Sequence, residues 1–354
     1  MAKPKTLNII GKERGLDEVI EGKTIIREDI EQNRYNYRKV WKSWLPPANG
    51  KEPEDGIRRI SYLPIPSKRL CRDLEFEGNI RDAPYWIFIL NQARERRPKS
   101  NQSRSKKKEK AHCKLCENVL GNNMILDEID EFYLCPNEYP YDMLSSLLIY
   151  KGKDKKQGEL EPRDIETAMK TSILLDQIVF YNSPGAGASI LEHGHWQLVD
   201  PSEMIIEGEE HVPYPIFNRS LVGKEPVKRK PDIFRITRYP IDAVIFMGGT
   251  APANAYNLIE RLKADGRGFN ILVNKNMVYV FGRNKENEVS ICMERRVGTM
   301  ELSGVYLMGD VEERSGGYKI KKHGAALFTE MDYYMAGKNA KRATMRLDAF
   351  VNDI

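Results

Sequence analysis

The chain has 354 residues, 41% of them hydrophobic and 30% charged, with a formal net charge of +5. That balance is expected of a soluble globular protein and excludes disordered, collagenous and membrane-spanning classes, because the longest apolar runs, such as residues 85–90, fall far short of the roughly 20 residues of a transmembrane helix. The basic excess, 56 Lys and Arg against 51 Asp and Glu, is too small and spread to point to nucleic acid. It suits a polyanionic small molecule in a basic cleft.

At about 150 residues per domain the length suggests two domains, or one large fold built from two related halves. The start, Met-Ala-Lys-Pro-Lys, leads into no apolar signal core, so export is not expected. Five cysteines is an odd and sparse number, which fits a reducing cytoplasmic setting better than a disulfide framework.

Taken in chain order, residues 1–50 read as mostly helical, with residues 27–45 forming an amphipathic helix that places Ile30, Tyr37, Val40, Trp41 and Trp44 on one stripe. Pro46-Pro47 and Asn49-Gly50 end it. Residues 86–90 read as a buried strand. Residues 97–110 are polar and basic, a loop or linker first and a phosphate or nucleic-acid clamp second.

Beyond Cys116 the texture is α+β. Strands are expected over 131–135 and 147–150, a helix over 162–180 with Pro162 at its start, and a strand over 193–199 behind a Pro/Gly/Ala loop at 184–188. Residues 200–230 read as loop. A strand over 243–246, a helix over 253–264 and two strands, 268–274 and 277–281, meeting at an Asn274-Lys-Asn276 turn, complete the second half.

The densest chemical signal is Tyr181-Asn-Ser-Pro-Gly-Ala-Gly-Ala-Ser-Ile-Leu-Glu-His-Gly-His-Trp-Gln-Leu-Val199. If residues 193–199 are extended, His193, His195 and Gln197 share one face. Two of the chain's five histidines then stand beside an amide, behind a glycine-rich loop able to offer backbone N–H groups to phosphate. The set suits an imidazole attacking phosphorus and an amide holding a phosphoryl oxygen. Histidines at alternate strand positions can also ligate zinc, so a metal role stays open for His193. Glu192 reads as a strand-edge charge, and His211 and His323 as surface residues.

This segment resembles the histidine-triad superfamily, in the branch of galactose-1-phosphate uridylyltransferase, diadenosine tetraphosphate phosphorylase and GDP-hexose phosphorylases. That branch carries His-x-His-x-Gln. Three more stretches agree in order: residues 86–98 resemble its first strand and arginine loop, Cys113-Lys-Leu-Cys116 its zinc-binding pair, and Leu134-Cys-Pro-Asn-Glu-Tyr-Pro140 the strand end lining its nucleoside pocket. The likeness is good over 84–200, fainter over 240–330 and absent over 1–80.

The resemblance implies an α+β fold of two histidine-triad-like halves, antiparallel sheets with packed helices in one pseudo-symmetric unit. Its expected divisions are an N-terminal helical or extension region (1–83), a first half with the active site (84–200) and a second, degenerate half (201–354). It also implies roles. His195 is the nucleophile that forms a nucleotidyl-histidine, and Gln197 steadies the phosphoryl group. Arg94, Arg97, Asn182, Ser183 and Ser189 bind phosphates, although Ser189 stands four residues before His193 where the relatives have three. Asn137 lines the nucleoside pocket.

Zinc is implied at Cys113, Cys116 and His193 as a structural ion. The relatives' fourth ligand, a histidine, is missing here, leaving Asp154 or His112 as substitutes. The implied activity is transfer of a nucleoside monophosphate from a nucleoside polyphosphate or nucleotide sugar to phosphate or a sugar phosphate, in the cytoplasm, with a homodimer as the expected assembly. The rivals are a hydrolase of the same superfamily and a non-catalytic nucleotide or nucleic-acid binder using the 97–110 loop.

Overall fold

The computed structural model describes residues 57–62, 87–91, 113–121, 125–137, 145–152, 155–199, 214–217, 222–227, 230–284, 297–308, 312–315, 318–321 and 341–351. The expected helix over 27–45, the arginines Arg94 and Arg97, the basic loop at 97–110, and His112, Asp154, His211 and His323 lie outside the described residues.

Strand β1 (Ile57–Tyr62) pairs antiparallel with β2 (Ile87–Asn91). Residues 57–62 are thus a strand inside the segment expected to be a helical extension; their Ile-Arg-Arg-Ile-Ser-Tyr run carries β-branched and aromatic residues that suit a sheet. A π-helical turn, Leu115–Leu120, follows the Cys-x-x-Cys pair.

The body of the fold is one ten-stranded sheet. Its first half runs β3 (Asp127–Ile129), β4 (Phe132–Pro136), β5 (Ser146–Tyr150), helix α1 (Pro162–Leu175), β6 (Ile178–Asn182) and β7 (His195–Val199). Its second half runs β8 (Gly223–Val227), β9 (Lys230–Thr237), β10 (Val244–Met247), helix α2 (Ala251–Ala264), β11 (Phe269–Asn274) and β12 (Met277–Gly282). Across the sheet the order is β3-β4-β5-β7-β6-β11-β12-β10-β9-β8, with every pairing antiparallel. Each half is therefore a three-strand meander, a helix and a hairpin whose last strand docks beside the third. The halves join where β6 pairs with β11. A smaller sheet of β1, β2 and β13 (Val305–Met308), the helical turn α3 (Thr299–Leu302), the hairpin β14 (Glu312–Ser315) with β15 (Tyr318–Lys321), and α4 (Asp348–Val351) complete the described chain.

Alternation along the strands separates two faces. Leu148, Trp196, Val179, Tyr181, Ile271 and Val280 turn to the helices and bury a common core with Ile165 and Ala168 of α1 and Leu258 and Ile259 of α2. On the other face Cys135, Leu147 and Ile149 pack beneath Leu115 and Val119 of the π-helical turn. Each such aliphatic side chain contributes roughly 1.5–3 kcal/mol on full burial. The face turned away from α1 and α2 is the one that carries the candidate site.

Three expectations need correction. The helix expected over 162–180 stops at Leu175; Asp176 takes the left-handed conformation (φ 53°) and the β-branched and aromatic run Ile178-Val-Phe-Tyr continues as β6. Its start is as read, with Pro162 in the first turn and a capping box between Glu161 and Asp164. The strand expected over 193–199 begins only at His195. Residues 223–227, inside the 200–230 stretch read as loop because of Pro226 and its surroundings, are β8, which pairs with β9 beyond it; β8 is the outermost strand, where a proline without an N–H is tolerated. The hairpin between β11 and β12 is as expected, with Lys275 in the left-handed region (φ 56°).

Candidate active site and metal cluster

His195 opens β7, opposite Ile149 of β5. Trp196 and Leu198 point into the helix-side core, which forces His195 and Gln197 onto the opposite face. His195 is buried and Gln197 half-buried. The His195 ring is oriented by its own chain: Nδ1 lies 3.0 Å from the carbonyl oxygen of His193. A carbonyl only accepts, so Nδ1 carries the proton and donates, and in the neutral ring the lone pair sits on Nε2. That tautomer is the one a nucleophilic imidazole needs.

His193 uses its ring in the opposite sense. Its Nε2 lies 2.7 Å from the backbone oxygen of Tyr150 and must donate to it. The lone pair is then on Nδ1, which faces Cys116 Sγ at 3.1 Å and Cys113 Sγ at 3.6 Å. The ligand atoms of the three residues all lie within 4.8 Å of one another. Cys113 Sγ also accepts from the backbone N–H of Cys116 at 3.2 Å. Two sulfurs and an imidazole nitrogen, with the far nitrogen fixed by a carbonyl, make a donor set that fits a metal ion. The residues Cys113, Cys116 and His193 can hold one. Their convergence is the sequence expectation met, although His193 reaches them from the turn before β7 and not from the strand itself.

The remaining candidates are spread. Asn182 ends β6, and its Oδ1 accepts from Asn270 Nδ2 (2.6 Å), Thr299 N (2.8 Å) and Thr299 Oγ1 (2.7 Å). Only its Nδ2 is left of that amide for a ligand. Ser183 is buried; its Oγ accepts from Phe269 N at 2.8 Å and faces Pro184 O at 3.3 Å, which ties the glycine-rich loop to β11. Ser189 is exposed. Asn137 follows β4, where its Nδ2 donates to Ser145 Oγ at 3.3 Å. It stands level with the far end of β7, about four strand residues or ~13 Å along the sheet from His195.

The loop between β6 and β7 approaches its neighbours by backbone. Gly187 has φ 94°, and a Cβ there would lie 2.8 Å from Gly298 Cα. Behind it Arg283, fully buried, donates through one nitrogen to Asn270 Oδ1 (3.0 Å) and to Val297 O (2.7 Å). Asn270, Thr299 and Arg283 thus brace Asn182 from the second half.

Beside β7 stands a charged anchor. Lys155 Nζ donates to Asp164 Oδ2 (2.7 Å) and to Tyr150 Oη (2.6 Å), and Tyr150 donates to Asp164 Oδ1 (3.0 Å). Burial pulls the Lys155 ammonium down, but the bonds to Asp164 and Tyr150 outweigh it and leave its pKa raised. Lys155 O in turn accepts from Gly194 N at 2.8 Å, holding the residue between the two histidines.

Sequence reading missed Tyr150, Gln157, Asn270 and Thr299 as parts of this site. Only the positions of their side chains across the fold reveal them. Of the signals that were available, Gln157 stands in the polar stretch Lys155-Lys-Gln-Gly, without periodicity or motif.

No family model matches the chain, and no curated protein matches it. Among solved structures, yeast Ap4A phosphorylase Apa2 is similar at a TM-score of 0.49 and 14% identity, over 79% of this chain and 96% of that one. The same enzyme in complex with Ap4A gives a TM-score of 0.48 and 16% identity, over 73% and 85%. In complex with AMP it gives 0.40 and 19%, over 64% and 76%. No helix among the described residues is long and apolar enough to cross a membrane.

Proposed function

We propose that the chain is a nucleotidyltransferase or phosphorylase of the His-x-His-x-Gln kind, working by a covalent nucleotidyl-histidine. The observation that carries this reading is the hydrogen bond from His195 Nδ1 to the His193 carbonyl, which puts the ring's lone pair on Nε2. The donor is a nucleoside polyphosphate or a nucleotide sugar. Nε2 attacks the α-phosphorus, the bond to the bridging oxygen breaks, and the leaving group keeps the electron pair: pyrophosphate or a nucleoside polyphosphate from a polyphosphate donor, a sugar phosphate from a nucleotide sugar.

The ring becomes positively charged in that step, and the His193 carbonyl stabilises it through Nδ1–H. Gln197, two residues along the same face, steadies the nonbridging oxygens. An oxygen of inorganic phosphate or a sugar phosphate then attacks phosphorus, the P–N bond breaks, and Nε2 regains its lone pair. Splitting one displacement into two is the gain of covalent catalysis.

Asn182 through its Nδ2, Ser189, the 183–188 loop that includes Ser183, and Arg94 and Arg97 are the phosphate-binding groups of this reading, and Asn137 lines the nucleoside pocket. The two five-stranded halves with the same connectivity support a doubled histidine-triad-like fold, divided near residues 84–200 and 201–354. In this reading Cys113, Cys116 and His193 would hold a zinc ion, which would supply a structural tie between the π-helical turn and the start of β7.

The test is intact-mass spectrometry after brief exposure to ATP, diadenosine tetraphosphate, ADP-glucose, GDP-mannose or UDP-glucose, with His195→Ala alongside. A nucleoside-monophosphate adduct on the wild type and none on the variant is the expected result. No adduct with any donor, and turnover that ignores added phosphate, would replace transfer with hydrolysis.

A further inference from the structure

At His195 the sheet contains a side chain where a strand should be. In the β6–β7 ladder the opposed pairs are Ile178 with Val199, Val179 with Leu198 and Phe180 with Gln197. Carried on, that register sets Asn182 opposite His195. On the β5 side His195 faces Ile149 directly. On the β6 side its backbone N–H and C=O instead meet the amide of Gln157. His195 N donates to Gln157 Oε1 at 2.8 Å, and Gln157 Nε2 donates to His195 O at 3.2 Å and to Asn182 O at 2.7 Å.

An antiparallel residue whose N–H and C=O face a neighbour normally exchanges both bonds with the residue opposite. Here Gln157 makes that exchange. Its amide is inserted between two strands that part at the end of the ladder. Gln157 is itself buried, at 5% exposure, and its backbone N–H donates to Leu191 O at 3.1 Å, which fixes the root of the side chain against the segment leading into the histidines.

We infer that Gln157 is the positioning residue for His195: its amide wedge sets the backbone of the nucleophile and spreads Asn182 and the glycine-rich loop away from it, opening the gap in which a phosphoryl group is bound. This rests on the nucleotidyl-transfer reading for the identity of the reaction, not for the geometry. The residue type is dictated. Nε2 faces two carbonyl oxygens and Oε1 faces an N–H, so glutamate would set a third oxygen against the two carbonyls, and methionine would fill the space while leaving all three backbone groups without their partner.

The experiment uses the full chain as wild type, Gln157→Met, Gln157→Glu and His195→Ala. It has two readouts. One is kcat and KM for diadenosine tetraphosphate with inorganic phosphate. The other is the ring-nitrogen NMR spectrum of protein labelled with 15N-histidine, in which the His195 signals are those missing from His195→Ala.

In folded Gln157→Met and Gln157→Glu, kcat falls about a hundredfold while KM stays within about threefold, the loss expected for a nucleophile displaced by an ångström. The His195 ring signals move with it. A variant that melts earlier yet keeps the wild-type kcat and ring signals overturns the inference and leaves Gln157 a structural bolt. Failure of both variants to fold has the same meaning. If the wild type turns over no nucleotide, the reaction assignment fails, and the ring signals alone decide: shifted signals sustain the positioning role, unshifted ones end it.

Discussion

His193 and His195 are coupled through one peptide group: the carbonyl of His193 accepts from His195 Nδ1 at 3.0 Å, while the ring of His193 turns its Nδ1 to Cys116 Sγ at 3.1 Å. The cluster that can hold a metal and the proposed nucleophile are therefore two ends of a three-residue segment. Whatever fixes the His193 ring also fixes the carbonyl that selects the tautomer of His195.

Metal content follows from that cluster. Purified wild type is expected to hold about one equivalent of zinc, and Cys116→Ser or His193→Gln to hold almost none, as elemental analysis will read. Both variants should melt at lower temperature, because the π-helical turn loses its tie to the start of β7. Equal melting temperatures with and without a strong chelator would remove the ion from the structural role.

The Lys155–Asp164 pair should be costly to break on one side only. Lys155→Met leaves the Asp164 carboxylate, 1% exposed, with Tyr150 Oη and the N–H of Glu161 but no countercharge. Urea unfolding is expected to show a loss of about 3 kcal/mol. A loss of a few tenths would mean that the pair is solvated like a surface bridge.

Alkaline stability depends in part on Cys135. Burial raises its thiol from 9.0 to about 12. The unfolded chain releases that proton above pH 9 while the folded chain keeps it, so the stability is complete below 9 and is lost as pH rises towards 12. Comparison of wild type with Cys135→Ala should therefore show their difference shrinking by about 1.4 kcal/mol per pH unit above that point. Parallel curves between pH 8 and 10.5, at roughly constant separation, would rule the thiol out as the source.

The two loop glycines should differ. Gly185, with φ 74° and nothing within 4 Å of an added Cβ, is expected to lose about 1 kcal/mol on replacement by alanine, the cost of the left-handed backbone alone. At Gly187 the added carbon would also meet Val297 O at 2.9 Å and Gly298 Cα at 2.8 Å. About 3 kcal/mol is expected there. Because Gly298 abuts Asn182 Oδ1, Gly187→Ala should also weaken nucleotide binding, read by calorimetry, where Gly185→Ala does not.

What could be read from the sequence was what local pattern controls. The strand ending at Val199, the start of α1 at Pro162 and the β11–β12 hairpin are written in alternation, caps and turn residues, and they stand within a few residues of where they were expected. The convergence of Cys113, Cys116 and His193 was legible as well, through the resemblance of those segments to the histidine-triad superfamily and not through periodicity. Local pattern failed where neighbours decide. Pro226 argues against a strand until the strand is found at the sheet's edge, and Asp176 gives no warning that the helix stops there. Gln157, Asn270 and Thr299 are ordinary polar residues whose importance comes from contacts 25 to 117 positions away in the chain.

The seam between β6 and β11 has a consequence for dissection of the protein. Every residue of β6, Ile178–Asn182, is buried, and its outer row of backbone groups pairs with β11, with Thr299 Oγ1, also of the second half, donating to Tyr181 O. A fragment ending before the second half would expose that row as a naked, flat, apolar sheet edge, the template on which separate chains stick together. The segment with His193 and His195 is thus kept from aggregating by a half whose described strands contain no histidine at all.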